Sequence, residues 1–253
     1  MVSATRKRIL LLLIVIVLTF LLIRFLLYNG TLLAVSMQYP QAQVVQNKQH
    51  KTSHETQSYR RAPGAPVIVA VFYEALCPDS KHFIMKQLLP AYKEAAPLMD
   101  VQLIPYGKAT TYTNPDGSYR FDCQHGHLEC EANTYHACVT EVVQDALARL
   151  EVVACMIRDN HLPKEAFHKC AKQHNIENID LIQKCYDSSN GSELLKLNGD
   201  VTHALRPSIT FIPTITLDGS QGRQATILKN LLAEICKIAG DNEKAEEICS
   251  KHI

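Results

Sequence analysis

The stretch from Val67 to Ser80, VIVAVFYEALCPDS, decides the fold. It begins with a β-branched and aromatic run, Val67 to Glu74, that is typical of a buried strand. Cys77 and Pro78 follow, and proline suits the first turn of a helix because its missing N–H is not needed there. The next apolar residues fall at helical spacing, at Phe83, Ile84, Leu88 and Tyr92. The segment therefore predicts a strand, a tight turn at Cys77 and a helix.

The remaining pattern predicts an α/β fold. A second strand is predicted from Val101 to Tyr106, and two parallel strands that bracket a helix form a βαβ unit. A loop is predicted from Lys108 to Phe121, because this stretch contains Asn-Pro-Asp-Gly and several threonines. Helices are then predicted over Glu129 to Asn160, Lys164 to His174, Ile179 to Tyr186 and Ser192 to Leu197.

Strand composition returns from Ser208 to Leu217, with an interruption at Pro213. Asp218-Gly219 is a hairpin-turn signal, and a final amphipathic helix is predicted from Gln224 to Ile238. The order β-α-β, a helical block and then β-turn-β-α matches a thioredoxin-like fold with a helical insertion. The pattern alone supports an α/β fold, and the specific topology depends on the motifs described below.

The first 36 residues predict a signal peptide or a signal anchor. A basic cluster, Arg6-Lys7-Arg8, precedes an uncharged apolar run from Ile9 to Ile23, as in secretory signal peptides. Extended to Leu27, the run would be about 28 Å long as a helix, which just spans a bilayer. Both alternatives send the rest of the chain to a lumen or outside the cell. Residues 37–65 are polar and predict a flexible linker, and residues 66–253 are the predicted folded domain.

Charge and cysteine content restrict the class of protein. The chain has 26 basic and 25 acidic residues, so it lacks the basic surplus of a nucleic-acid-binding protein. Nine cysteines indicate an oxidising compartment, where disulfides persist. Cys77 stands apart near the start of the domain. The candidates for structural disulfides are Cys123, Cys130, Cys138, Cys155, Cys170, Cys185, Cys236 and Cys249.

Cys77 is the candidate nucleophile. A cysteine at a helix N-terminus gains from the free backbone N–H groups and the helix dipole, both of which stabilise a thiolate. We expect its sulfur to project past the strand end into solvent. A buried inert thiol and a disulfide with one of the other cysteines are the alternatives.

Ser80 and Pro213 are the candidate residues beside Cys77. A dithiol reductase carries a second cysteine three residues after the first, and Ser80 occupies that position here. Its hydroxyl is either an ordinary group of the first helical turn or a hydrogen-bond donor to the Cys77 thiolate. Pro213 precedes a strand, where thioredoxin-like proteins place a cis-proline beside the reactive cysteine. An ordinary proline at a strand edge is the alternative.

A second motif runs from Cys123 to Cys138, CQHGHLECEANTYHAC. A zinc site built from its three cysteines and His125, His127 or His136 is conceivable, but the spacing matches no familiar zinc module and we expect disulfides and no metal. For His125 a structural hydrogen bond is expected, with tuning of the chemistry as the alternative. Glu129 is expected to be a favourable charge at the start of a helix.

This motif, Cys-Gln-His-Gly-x-x-Glu-Cys-x-x-Asn with a cysteine five residues later, resembles the signature of the gamma-interferon-inducible lysosomal thiol reductase (GILT) family. The resemblance extends to VFYEALCPDSKHF, CYDSSNGSELL and FIPTITLDG, and so covers about residues 66–250. It implies a thioredoxin-like domain that reduces protein disulfides. It also implies that Cys77 is the nucleophile, that Ser80 replaces the resolving cysteine, and that Cys236 and Cys249 form a C-terminal pair.

Two hypotheses follow. The first is a lumenal thiol oxidoreductase with Cys77 as its single nucleophile, which acts on disulfide-containing proteins, needs glutathione or cysteine as reductant and needs no cofactor. The second is a thioredoxin-like protein that binds clients without turnover, because Ser80 cannot exchange disulfides. We expect secretion or an endosomal or lysosomal lumen, with membrane contact only if the N-terminal segment is retained. Asn190-Gly-Ser is an expected glycosylation site.

Overall fold

The computed structural model describes residues 17–21, 24, 61–62, 64–240 and 243–251. The chain divides into two compact units, Met1–Thr56 and Gln57–Ile253. In the first unit, residues 17–21 and 24 are helical. None of the helices in these described ranges is long and apolar enough to cross a bilayer. The predicted signal segment 1–36 and linker 37–65 lie almost wholly outside the described residues.

The second unit has a βαβ start, a helical middle and a β-α end. Its strands are β1 (Val67–Tyr73), β2 (Met99–Pro105), β3 (Thr110–Thr113), β4 (Tyr119–Asp122) and β5 (Thr214–Leu217). Its helices are α1 (Pro78–Phe83), α2 (Leu89–Ala95), α3 (His127–Val142), α4 (Ala146–Arg158), α5 (Pro163–Gln173), α6 (Ile179–Asp187), α7 (Ser189–Ala204), α8 (Gln224–Lys229), α9 (Leu231–Ala239) and α10 (Glu243–Cys249). A π-helical segment, Ile84–Leu88, joins α1 to α2.

The central sheet has the order β2-β1-β5. Strand β1 runs parallel to β2, with Val67 beside Met99, and antiparallel to β5, with Phe72 opposite Thr214. The predicted βαβ unit is therefore confirmed. Because β1 is the middle strand and is buried along almost its whole length, the residues at its carboxyl end are held on both sides.

Helices α3 to α7 form the insertion between β4 and β5. The ring of Tyr135 on α3 stacks on Tyr186 of α6 with centroids 3.8 Å apart, and on Phe167 of α5 at 5.3 Å. These rings join three helices of the insertion around buried apolar side chains that are continuous with those of the sheet. The expected α/β fold with a helical insertion is confirmed.

Four disulfides tie the second unit together, and the expected disulfide stabilisation is confirmed. The bonds are Cys123–Cys130, Cys138–Cys185, Cys155–Cys170 and Cys236–Cys249. The second bond joins α3 to α6 and the third joins α4 to α5. The last joins α9 to α10, a helix beyond the one that the sequence predicts as final.

Four predicted elements need correction. The predicted loop over Lys108 to Phe121 contains the hairpin β3-β4, because threonine and tyrosine favour strands and Asn114 to Ser118 close the turn. The predicted helix from Glu129 to Asn160 is two helices, α3 and α4, since the Asp145 carboxylate caps a new one by accepting from Ala148 N–H at 2.7 Å. The predicted final helix is likewise divided at Asn230, which caps α9.

The predicted strand from Ser208 to Leu217 begins only at Thr214, after Pro213. Asp218 and Gly219 form the expected turn with positive φ values of 49° and 78°, but only one bridge, Leu217 to Ser220, follows it. The Gln224 side chain accepts from Ile215 N–H at 2.9 Å and occupies this stretch of β5 in place of a further strand.

The Cys138–Cys185 bond should contribute more stability than Cys123–Cys130. Its sequence separation is 47 residues against 7, so the chain-entropy estimate is about 4 kcal/mol against about 2.4 kcal/mol. Urea unfolding of the two double-alanine variants, C138A/C185A and C123A/C130A, measures both losses. Equal losses would contradict the expectation.

Candidate active site around Cys77

Cys77 lies at the N-cap of α1, directly beyond the end of β1. It is the free cysteine of the nine, and its side chain is buried, with 8% exposure. Its Sγ donates to the carbonyl oxygen of Ile212 at 3.9 Å. The sulfur does not project into solvent as expected, because the segment that leads into β5 covers it.

The covering segment contains Pro213, and the Ile212–Pro213 peptide bond is cis. Pro213 is buried and precedes β5 directly. The Thr214 side chain stabilises the turn that contains Pro213, since its Oγ1 donates to the carbonyl oxygen of Phe211 at 2.7 Å. The Phe211 side chain stays exposed at the edge of the site. Cys77 and Pro213, 136 positions apart in the sequence, are thus brought together.

Ser80 is fully buried one turn into α1. Its Oγ accepts a hydrogen bond from the backbone N–H of Glu74 at 3.3 Å. Within residues 64–240 no hydrogen bond joins Ser80 to the Cys77 side chain. The Ser80 hydroxyl therefore stabilises the strand-to-helix turn. Of the two expected roles, this agrees with an ordinary group of the first helical turn rather than a donor to the Cys77 sulfur.

The turn before Cys77 is held by helix α3. Asn133 Oδ1 accepts from the N–H of Ala75 at 2.9 Å. On the other side of that residue, Asn160 Nδ2 donates to the carbonyl oxygen of Ala75 at 3.2 Å. Both side chains are buried. The backbone two residues before Cys77 is therefore fixed through both its N–H and its carbonyl oxygen.

His136 extends this contact to the end of β1. Its Nδ1 lies 2.9 Å from Tyr73 Oη, and its Nε2 lies 3.1 Å from Asn160 Nδ2. Since the amide nitrogen is a donor, Nε2 accepts and Nδ1 carries the proton that it donates to Tyr73. Complete burial lowers the pKa of His136 to about 3, so the ring stays neutral in an acidic lumen.

A third group of side chains meets at Glu74. His125 Nδ1 lies 2.6 Å from Glu129 Oε2 and 3.4 Å from Glu74 Oε2. Both glutamates are buried. Burial is the main cause that raises the pKa of Glu74, and repulsion from Glu129 adds to it against the hydrogen bond from Lys108 N–H. Glu129 thus does more than place a charge at a helix start, while His125 makes the expected structural hydrogen bond.

Comparison with known proteins identifies the family. The sequence model of "Gamma interferon inducible lysosomal thiol reductase (GILT)" matches residues 68–174. The chain is 30% identical to the GILT of Mus musculus over 189 residues, which cover 74% of this chain and 73% of the relative. It is 30% identical to GILT-like protein 1 of Drosophila melanogaster, over 74% of this chain and 80% of that protein. The chain belongs to the GILT family.

Two further comparisons agree. A GILT-like protein of Anopheles gambiae is 36% identical over 160 residues, which cover 59% of this chain and 66% of that relative. Among solved structures, reduced DsbA from Mycobacterium tuberculosis superposes with a TM-score of 0.50 at 15% identity, over 78% of this chain and 95% of that chain. This likeness shows the thioredoxin-like fold, as expected.

The GILT signature serves two purposes in this structure. Its cysteines form disulfides, so the zinc site built from Cys123, Cys130 and Cys138 is excluded. Its polar residues Glu129, Asn133 and, one turn later, His136 lie on the face of α3 toward the end of β1. Sequence reasoning missed Glu74 and Asn160 as their partners, although the spacing of four and three residues, which puts these polar side chains on one helix face, was a usable signal.

The expected glycosylation site, Asn190, is exposed in the first turn of α7. Its backbone N–H donates to Ser188 Oγ, and its side chain is accessible from solvent. Glycosylation stays a prediction.

Asn133→Ala should lower the free energy of unfolding by about 1–3 kcal/mol, because it leaves the buried N–H of Ala75 without an acceptor. Thr134→Ala is the matched control, since its hydroxyl bonds only within its own helix, to Cys130 carbonyl oxygen. Urea titration of both variants checks this. A loss no greater than that of the control would refute the role.

His136 should make stability fall with acid. Its pKa is lowered from 6.5 to about 3 on folding, so the unfolded chain binds more protons between these values. The contribution is complete above about pH 6.5 and declines below it, by about 2 kcal/mol at about pH 5. His136→Gln should remove this part of the pH dependence. The control His82→Gln, at an exposed histidine, should leave it unchanged. Urea unfolding of both variants at about pH 7 and about pH 5 measures the difference.

Proposed function

We propose that this GILT-family protein is a lumenal thiol oxidoreductase that acts on protein disulfides through Cys77 alone. The observation that carries the proposal is the state of the cysteines. Eight are paired in disulfides, and Cys77 remains a thiol at a helix N-cap against the cis-Ile212–Pro213 bond. The names of the relatives, which describe thiol reductases, support the same reaction class.

The reaction begins when the Cys77 thiolate attacks one sulfur of a client disulfide. The client S–S bond breaks, a Cys77–client mixed disulfide forms, and the other client sulfur leaves as a thiolate. A small thiol such as glutathione or cysteine then attacks the Cys77 sulfur and releases the second client thiol. A second small thiol frees Cys77. The balance is one client disulfide and two small thiols to one client dithiol and one small disulfide.

Ser80 explains why external thiols are needed. In a dithiol reductase the second cysteine resolves the mixed disulfide from within, at a high effective concentration. The Ser80 hydroxyl cannot exchange with a disulfide, and it is buried with its oxygen held by Glu74 N–H. Resolution therefore depends on the concentration of free thiol around the protein.

The same feature supports a second candidate function. A Cys77–client disulfide without internal resolution is long-lived where free thiols are scarce, so the protein would hold clients rather than turn them over. Burial of Cys77 and exposure of Phe211 beside it fit a surface that must first bind a client segment.

The proposed location is a secretory, endosomal or lysosomal lumen. Four disulfides suit an oxidising compartment, and the mouse and goldfish relatives carry the word lysosomal in their names. The N-terminal apolar run is proposed to direct this entry, either as a cleaved signal peptide or as a signal anchor.

Disulfide exchange with a model protein substrate tests the nucleophile. Cys77→Ala should abolish the exchange that the parent shows with glutathione present, at about pH 5 and about pH 7, because no other cysteine is free. Exchange by the parent no faster than by this variant would refute the enzyme. Client capture that survives in the variant would then favour non-covalent binding.

Ser80→Cys should raise turnover by more than about tenfold, because it restores internal resolution one helical turn from Cys77. Asp79→Cys is the matched control, since it adds a thiol at the neighbouring position, where the side chain is exposed to solvent. A gain in Ser80→Cys alone supports a scaffold that lacks only resolution. No gain, with the variant folded, would contradict the assigned role of this position.

A further inference from the structure

The cluster of Glu74, His125 and Glu129 has three possible metal ligands, one from each side chain, that all lie within 4.8 Å of one another. None of them is a cysteine, so the disulfides leave them available. They come from two parts of the chain, the end of β1 and the start of α3. We propose that this cluster is a binding site for a divalent transition-metal ion, with zinc as its occupant.

The arrangement of the two carboxylates supports the site. Glu74 Oε1 accepts from Lys108 N–H at 2.8 Å, and Glu129 Oε1 accepts from His125 N–H at 3.0 Å. The Oε1 atom of each glutamate thus accepts from a backbone N–H, and the Oε2 atom of each lies near His125 Nδ1. Hydrogen bonds that orient the ligands in this way are the usual support of metal ligands.

Glu74 provides the second, independent observation. Its side chain is 1% exposed, and its Oε2 accepts no hydrogen bond. The short contact of His125 Nδ1 is with Glu129 Oε2, 2.6 Å away, whereas Glu74 Oε2 is 3.4 Å from the same nitrogen. A buried carboxylate oxygen without a hydrogen-bond donor is costly, so a cation at the point between the three side chains would stabilise it.

The distances suit zinc after a small adjustment. Zinc bonds of about 2.0–2.1 Å in a tetrahedron place ligand atoms about 3.3 Å apart. Glu74 Oε2 and His125 Nδ1 are already 3.4 Å apart. The 2.6 Å between His125 Nδ1 and Glu129 Oε2 must widen. His125 is followed by Gly126 at a φ of 83°, in a turn with open space around it.

Access and ligand type favour the same ion. The His125 side chain is 35% exposed, which leaves a route for the ion and room for water as a fourth ligand. One imidazole and two carboxylates match zinc better than calcium, which prefers six or more oxygens. The ion would join the end of β1 to the start of α3, three residues before Cys77.

Zinc binding is measured on the full chain with Cys77→Ala, so that the free thiol is not a ligand and the result does not depend on enzyme activity. Equilibrium dialysis against zinc with metal analysis should give one ion per chain. Adding His125→Ala or Glu129→Gln should weaken binding by more than about tenfold. His127→Ala, an exposed histidine two residues away, is the matched control and should leave binding unchanged.

A second measurement needs no change at the ligands and so does not depend on their variants folding. His125 Nδ1 faces the Glu129 carboxylate, so Nε2 is the ring nitrogen left to react with diethyl pyrocarbonate. Zinc on Nδ1 would move the proton to Nε2 and block the reaction. Mass spectrometry should show zinc protection of His125 and none of His127. No bound zinc, or binding without protection of His125, would overturn the proposal.

Discussion

The constraint on which the site depends is the fixation of Ala75 from both sides. Its N–H donates to Asn133 and its carbonyl accepts from Asn160, two buried amides from different parts of the helical insertion. A peptide between a strand end and a helix start has no regular partner of its own, so these side chains take the place of secondary structure. Because Cys77 follows Ala75 by two residues, these hydrogen bonds also position Cys77.

The helical insertion therefore belongs to the active site. Helix α3 presents Asn133 and His136 to the end of β1, and its first turn brings Glu129 to Glu74 through His125. The Cys138–Cys185 disulfide and the stack of Tyr135 on Tyr186 then hold α3 against α6. The GILT signature thus combines residues that fix the helix with residues by which the helix fixes the turn before Cys77.

Much of this could be predicted from sequence, and the reasons for the failures are physical. The βαβ unit, the insertion, the paired cysteines and the family came from local periodicity and short motifs. The hairpin β3-β4 was missed because its strands are short and its many turn-forming residues predicted a loop. The helix breaks at Asp145 and Asn230 were missed because a capping residue cannot be told from an ordinary polar residue within a helix by sequence pattern.

By itself the sequence determined that Cys77 opens a helix after a buried strand, that a serine, Ser80, stands three residues after it, and that eight other cysteines are present to pair. These are properties of neighbouring residues. Only the tertiary structure decided that Cys77 is covered at Ile212, that Asn160 holds Ala75, and how the six cysteines from Cys123 to Cys185 pair. These contacts join residues from 7 to 135 positions apart, and tertiary packing brings them together in ways that no local pattern encodes.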